Sequence, residues 1–413
     1  MRRRSDREGS REPVLVYAVT VGVSARIILR GQLAHLRRAG YRVILMCAPD
    51  GDTTAYARVE GIELIPLPMK RGYPALGDLR AFVRATVAFR RIRPDVLFAA
   101  TPKAGLLIGL AGIVGRVPAR IYNLRGLRLE GERPGSWRFH LLRLAEYVSC
   151  RLAHAVVLPS ETVRLRAVSL GVVRYAKTRV LGRGSTNGVD LDRFRPATPG
   201  LRQDARSIAG VGPDEPVFGF VGRIVFDKGV DTLVDAFQSL PRRLNAKLLL
   251  VGEIEENHRL SRRTRAGIHD DPHILTTGFA DDVSLWYRVM DIVVLPSRRE
   301  GLPNVILEAA ASGLPCIATD ATGCRDALMD GVTGIVVPVG RPAELARAMM
   351  RLADDPSLRA RMGTAGRKLV EDHYSQPLVW ANTADFIGGL VRRPGANVSS
   401  PADAREVDPC VSS

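Results

Sequence analysis

A chain of 413 residues exceeds what one hydrophobic core usually supports, so two domains are expected. Its 46% hydrophobic and 25% charged residues are those of a soluble globular protein, and its five scattered cysteines exclude a disulfide scaffold or a zinc module and fit a reducing cytoplasm. The formal net charge is +17, yet no run approaches the ~20 apolar residues that cross a bilayer, and the basic leader at 1–8 lacks the apolar region of a secretory signal.

In chain order, residues 1–13 read as a disordered basic terminus. The apolar run 14–21 reads as a strand, and Gly22-Val23-Ser24 turns it into a helix ending near Gly40. Strands follow near 42–47, 63–67, 95–99, 120–124 and 155–158, with helical patterns between them. Such alternation predicts a parallel sheet covered on both faces. The pattern pauses in a Gly/Pro-rich stretch near 182–200, which places a linker at 186–200. A second α/β series has strands near 217–221, 247–251, 274–277, 291–295, 316–319 and 335–337. The expected domains are therefore 14–185 and 201–374, two doubly wound sheets facing across a cleft, with a disordered tail at 393–413.

Charge divides along the same line. Residues 1–185 hold 33 Lys/Arg and 13 Asp/Glu, a net of +20, whereas the rest of the chain nets −3. The basic half calls for an acidic partner: nucleic acid, an anionic membrane or a phosphorylated acceptor. Arginines spread over helix faces without interleaved aromatics disfavour nucleic acid. With no apolar anchor evident, membrane contact would be electrostatic, with Arg80, Arg84, Arg90, Arg91 and Arg93 as candidates, unless these residues simply solvate the surface.

Two segments carry chemistry. The first, Ser297 to Glu308, follows the buried strand at 291–295 and places Glu300 on a loop and Glu308 in the next helix. Backbone N–H groups of Gly301, Leu302 and Asn304, with Pro303 between them, lie at that helix start, where anions and hydroxyls bind. Ordinary surface glutamates are the alternative. The second segment, Phe218 to Gly229, is a strand ending in Gly222, beside which Arg223 and Lys228 offer two cations to a diphosphate. Gly22 and Ser24 form a comparable turn in the amino half. Lys103 follows Thr101-Pro102 at another strand end, where it could meet a phosphate or be a surface lysine.

Gly222-Arg223, Lys228-Gly229, the Glu300/Glu308 pair, the 313–319 segment and Asp330-Gly331-Val332-Thr333-Gly334 together resemble glycosyltransferase family 4, retaining nucleotide-sugar transferases of the GT-B fold. The resemblance runs from about Val14 to about Gly389. Thr101 to Gly105, Leu124 to Arg128 and Gly184 to Asp190 resemble the bacterial subgroup that builds polysaccharide units on lipid carriers. This subgroup resemblance implies a UDP-sugar donor and a polyprenyl-diphosphate-linked acceptor. It also implies that Glu300 holds the donor sugar while Glu308 binds the ribose diol, and that Arg223 and Lys228 neutralise the leaving diphosphate. No metal or other cofactor is expected. A helix at 375–392 should return to the amino domain, and the enzyme should work at the inner face of the cytoplasmic membrane. Many family members carry a histidine after an amino-domain strand. The matching segment here, Asn123 to Arg128, has none, and Arg125 is the candidate substitute. A transferase for a soluble metabolite, a sugar-nucleotide epimerase and a non-enzymatic basic binding protein are the competing readings.

Overall fold

A computed structural model of the chain describes residues 11–70, 76–255 and 260–392. The basic leader and the terminal tail expected to be disordered lie largely or wholly outside those residues. The amino-terminal sheet contains β1 (Val14–Val21), β2 (Arg42–Ala48), β3 (Glu63–Pro66), β4 (Val96–Ala100), β5 (Ala119–Asn123), β6 (Ala155–Leu158) and β7 (Thr178–Val180). Between them run α1 (Gly22–Ile28), α2 (Gln32–Arg38), α3 (Thr53–Glu60), α4 (Leu76–Ile92), α5 (Pro102–Val114), α6 (Trp137–Leu152) and α7 (Glu161–Ser169). The order is β3-β2-β1-β4-β5-β6-β7, all parallel. β1 is apolar along its length because both of its faces are covered. Leu29, Leu33 and Leu36 pack on one face of the sheet, and Ala81, Phe89 and Ile108 on the other.

The carboxyl-terminal domain opens with α8 (Pro199–Ile208) and builds a second parallel sheet. Its strands are β8 (Val217–Val221), β9 (Lys247–Val251), β10 (Ile274–Thr276), β11 (Ile292–Leu295), β12 (Cys316–Thr319) and β13 (Gly334–Val337). They stand in the order β10-β9-β8-β11-β12-β13. The remaining helices are α9 (Val230–Gln238), α10 (Arg262–Asp270), α11 (Ser284–Tyr287), α12 (Asn304–Ala311), α13 (Pro342–Asp354), α14 (Pro356–His373) and α15 (Gln376–Arg392). Strand order reverses between β1 and β4 in one sheet and between β8 and β11 in the other. Such switch points leave a crevice beyond the carboxyl ends of the strands, where open α/β sheets hold ligands.

Two local readings change. The single helix expected from Gly22 to Gly40 is broken into α1 and α2 at Gly31, which has φ of +79°. Glu60 accepts from the Gly31 and Ala34 backbone N–H groups at 2.7 and 2.8 Å and so caps α2, while the Trp380 ring would lie 2.6 Å from any Cβ at Gly31. The edge strand β7 was not foreseen, since only Thr178 of its three residues is fully buried and no apolar run announces it.

The chain crosses between domains twice, side by side. Val189 N–H donates to Tyr374 O at 2.7 Å, and Gln376 N–H donates to Val189 O at 3.0 Å. Beyond this crossing α15 packs against the amino domain, where Ile387 and Leu390 join the core beneath β1 and β2. Trp380 Nε1 donates to Asn187 Oδ1 at 2.7 Å, which ties the helix to the outgoing chain as well.

Candidate active site

The turn after β8 is set by two glycines. Gly222 and Gly252 both have φ of +144°, and a Cβ on Gly252 would lie 2.0 Å from Gly222 O. This backbone-on-backbone contact leaves Arg223 at the cleft, where its guanidinium lies 3.2 Å from Glu255. A 3-10 turn at Phe226–Lys228 then ends in Gly229, with φ of +71°. A Cβ on Gly229 would sit 1.9 Å from Pro296 O, so this turn presses against the end of β11. That close approach brings Lys228 Nζ within 2.5 Å of Glu300 Oε1, to which Ser297 Oγ also donates at 2.7 Å. The neighbouring pair is Arg299 Nη2 and Asp227 Oδ2, at 2.6 Å.

Glu308 sits one helical turn into α12. It keeps part of its surface open but lies deep in the protein, and burial raises its carboxyl pKa above the ordinary value, against the opposing hydrogen bond from Tyr287 and the charge of Arg193. Tyr287 Oη donates to Glu308 Oε2 at 3.0 Å. The N-cap residue of α12 is Pro303, whose side chain makes no capping hydrogen bond. Leu302, Pro303 and Asn304 lead into that helix beside Gly301.

The amino domain supplies the facing wall. A Cβ on Gly301 would lie 1.9 Å from Arg125 O, so the turn after β5 touches the loop after β11 through backbone alone. Ser160 Oγ donates to Gly301 O at 3.0 Å, and Thr162 Oγ1 accepts from Gly323 N–H at 2.8 Å and bonds Asp326, closing one side of the cleft. Between the walls is a cavity of 280 Å³ lined by residues of both domains, among them Thr101, Tyr122, Arg125, Arg128, Arg223 and Lys228. Asp227, Arg299, Glu300 and Gly301 complete its carboxyl-domain side. All three guanidinium nitrogens of Arg125 are buried and have no hydrogen-bond partner among the described residues. An unpaired buried cation of this kind is costly until an anion meets it.

Of the residues expected at the site, Arg125, Arg223, Lys228, Glu300 and Gly301 therefore converge on one cavity. Gly222 and the Leu302–Asn304 segment are contiguous in the chain with lining residues, whereas Glu308 lies farther along α12 and is not one of them. Gly22, Ser24 and Lys103 are not among its lining residues. Gly22 starts α1, where a Cβ would lie 1.8 Å from Thr53 Oγ1, a packing requirement. Lys103 is paired with the buried Asp78 at 2.9 Å on the side of α5 that meets α4. Neither His140 nor His154 lines the cavity: His140 is an exposed residue of α6, and both ring nitrogens of His154 contact Arg120.

Thr101, Tyr122, Arg128, Asp227 and Arg299 line the site without having been singled out. Thr101 offers a structural signal invisible in sequence, a β-branched residue at φ of +114°, with its hydroxyl 2.7 Å from that of Thr20. Such a conformation costs about 1–3 kcal/mol and is concentrated at functional sites. Asp227 and Arg299 are adjacent to the expected Lys228 and Glu300, but chain adjacency does not reveal which side chains face the cleft.

Two family models match separate parts of the chain. The Glycosyl transferases group 1 model matches residues 215–355, and the Glycosyl transferase 4-like domain model matches residues 24–184. A capsular polysaccharide biosynthesis glycosyltransferase of Staphylococcus aureus, CapM, is 30% identical over 367 residues, covering 89% of this chain and 94% of that one. The chain belongs to this glycosyltransferase family. The transferase is also 28% identical to the lipopolysaccharide core biosynthesis glycosyltransferase LpsE of Rhizobium meliloti, over 70% of this chain and 74% of the relative. Among solved structures, Anabaena HepE in complex with UDP and glucose aligns with a TM-score of 0.77 at 20% identity, over 91% of this chain and 99% of that one. That likeness establishes the GT-B fold of the transferase.

A second cavity, of 370 Å³, lies at the outer edge of the amino-terminal sheet and is lined by residues of α6, β6 and β7 and the segments between them. It is larger than the cleft cavity, but no carboxylate lines it among the described residues and it does not adjoin either switch point. Among the described residues, no group of three or more His, Cys, Asp or Glu side chains is placed to hold a metal ion.

Proposed function

We propose that the enzyme moves a hexose or N-acetylhexosamine from a nucleoside diphosphate donor, a UDP-sugar, to a lipid-linked glycan in the synthesis of a cell-surface polysaccharide. The observation that carries this reading is the buried, partnerless guanidinium of Arg125 facing Arg223, Lys228 and Arg299 across the cleft. A diphosphate supplies the missing negative charge, and fixed cations stabilise the charge that develops on it as the sugar departs. Lys228, now held by Glu300, would turn to the diphosphate and release Glu300 to the sugar hydroxyls. Glu308 would accept hydrogen bonds from the ribose diol. The acceptor oxygen bonds to the anomeric carbon as the bond to the phosphate oxygen breaks, and the departing diphosphate takes the acceptor's proton on the same face, with retention. No metal is assigned to this step. The capsular and lipopolysaccharide pathways of the relatives support the acceptor class, and the UDP and glucose held by HepE support the donor.

The basic amino domain would place the cleft at the inner face of the cytoplasmic membrane. Arg80, Arg84, Arg90, Arg91 and Arg93 are all exposed on or just after α4 and suit an anionic surface. Among the described residues no helix is long and apolar enough to cross a membrane.

A mass-spectrometric screen of nucleotide sugars with lipid-linked acceptors tests the reading. Transfer from a UDP-sugar to such an acceptor is expected. An isomerised nucleotide sugar formed without acceptor, or transfer only to a soluble metabolite, overturns it.

A further inference from the structure

The turn after β12 supports Glu300 through its backbone. Thr322 O accepts the Glu300 N–H at 2.9 Å. Gly323, with φ of +82°, lies against the same stretch: a Cβ there would sit 2.2 Å from Gly301 O and 2.6 Å from Glu300 O. Contact this close leaves no side chain to absorb a shift, so a displacement of Thr322 and Gly323 is passed on to Glu300.

Both residues of that turn are held by the other domain. Thr322 Oγ1 donates to Glu130 Oε1 at 3.1 Å, a bond that spans 192 positions of the chain. Glu130 lies in the 3-10 turn Arg128–Gly131 that follows β5, and its side chain is only 12% exposed, so water competes little for the carboxylate. Arg166 Nε of α7 donates to the same oxygen at 2.9 Å and fixes its direction. Gly323 N–H donates to Thr162 Oγ1 at 2.8 Å. The turn that carries Glu130 also reaches the residue before Glu300, since a Cβ on Gly131 would lie 3.0 Å from Arg299 Nε. Neither Glu130 nor Thr322 lines the cleft cavity, so their effect on transfer has to pass through Glu300.

We infer that Glu130 and Thr322 are positioning residues for the transfer: Glu130, reaching from the amino domain, sets the backbone of Glu300 through Thr322 and so makes the aim of that carboxylate depend on the facing wall. The inference rests on the donor-sugar role proposed above for Glu300. In the unliganded protein Lys228 and Ser297 hold the Glu300 side chain. When Lys228 turns to the diphosphate, one of these two anchors is lost, and the direction of the carboxylate depends more on its backbone. A misplacement of about 1 Å can cost about 100-fold in rate. The nucleotide contacts assigned to Arg223, Lys228 and Glu308 do not pass through Thr322, so UDP affinity should not follow.

The test uses the full chain. Hydrogen–deuterium exchange of peptides spanning 297–303 reads the Glu300 amide without any substrate. T322V and E130A should speed exchange there about tenfold and leave 217–229 unchanged. T322S and E130Q, which keep the donor and an acceptor oxygen, should stay within about twofold of the parent. The double variant E130A/T322V should be no worse than the stronger single one, because both break the same bond. In turnover with UDP-glucose or UDP-N-acetylglucosamine, T322V and E130A should lower kcat about tenfold to 100-fold while UDP affinity stays within about twofold. Unchanged exchange in both variants overturns the inference. So do additive effects in the double variant, UDP affinity falling as far as kcat, or T322S and E130Q being as impaired as T322V and E130A. Melting temperatures show whether each variant is folded, and either single variant with its conservative counterpart suffices for the exchange reading. A parent that neither binds UDP nor turns over either donor loses the donor reading, whereas the exchange result still decides whether Glu130 holds Glu300.

Discussion

On the carboxyl-domain wall of the cleft, Lys228 meets Glu300, Arg299 meets Asp227 and Arg223 meets Glu255. On the amino-domain wall, Arg125 reaches the same cavity with no partner for any guanidinium nitrogen among the described residues. The contrast continues at larger scale, since residues 1–185 carry a net charge of +20 and the rest −3. One wall must exchange existing ion pairs for ligand contacts, whereas the other holds a cation that only a ligand completes. Stability and activity should therefore respond differently on the two sides.

Lys228→Ala should have the largest effect. It removes a cation from the leaving group and strips Glu300 of its counter-charge, so transfer should fall about 100-fold or more and stability by about 2 kcal/mol. Steady-state kinetics and urea unfolding measure both, and a variant within a few-fold of the parent would dismiss Lys228 from the chemistry. Arg125→Ala should lower transfer about tenfold to 100-fold while raising stability by about 1 kcal/mol, because it deletes a buried group that has no hydrogen bond to lose. A loss of stability comparable to that of Lys228→Ala would erase the contrast between the walls.

The two glutamates sharpen the carboxyl-domain side. Glu300→Gln should reduce transfer while leaving UDP binding close to the parent's. Glu308→Gln should weaken UDP by about tenfold, the equivalent of one charge-assisted hydrogen bond. Calorimetric titration distinguishes them, and equal UDP losses would end the proposed division of roles. Without nucleotide, Glu308→Gln should also be the more stable protein at neutral pH, since burial raises the Glu308 pKa and disfavours its ionised form.

The smallest effect on activity is expected at Glu146. Tyr122, which lines the cleft, donates to the buried Glu146 carboxyl at 2.7 Å. Burial raises its pKa from 4.5 to about 7, against the Tyr122 hydrogen bond and Arg128. The folded protein holds this proton more tightly than the unfolded chain does, so the contribution is complete below 4.5 and is lost as pH rises through about 7. Denaturation across that window should show Glu146→Gln gaining stability over the parent with rising pH, by about 3 kcal/mol in all. Parallel pH profiles would refute the assignment.

Much of the carboxyl-domain wall was legible because its signals are local. The apolar runs of β8 and β11 mark buried strands, Gly222 marks a backbone conformation open to glycine, and Glu300 and Glu308 are placed by the loop-to-helix junction that follows. The amino-domain wall was less legible. The turn after β1 has the same appearance as the one after β8, yet Gly22 answers to Thr53, and Lys103 answers to Asp78, a residue from the preceding helix. Strand and helix periodicity assigns a side chain to a face of its own element and says little about which neighbouring element occupies that face.

The sequence by itself determined the two α/β series, the division of charge between them, the positions of Arg223, Lys228 and Glu300 beyond strand ends and that of Glu308 in the helix that follows. These follow from hydrophobic spacing and backbone chemistry acting over a few residues. Only the tertiary structure decided that Lys228 and Glu300 share a hydrogen bond across 72 positions, that Arg125 faces them without a partner, and that α6 leaves an apolar face in solvent. Those outcomes depend on how strand order reverses in each sheet and on the paired crossing at Val189 and Gln376 that sets one domain against the other. Contacts made through that closure join residues too distant in the chain for any local pattern to encode them.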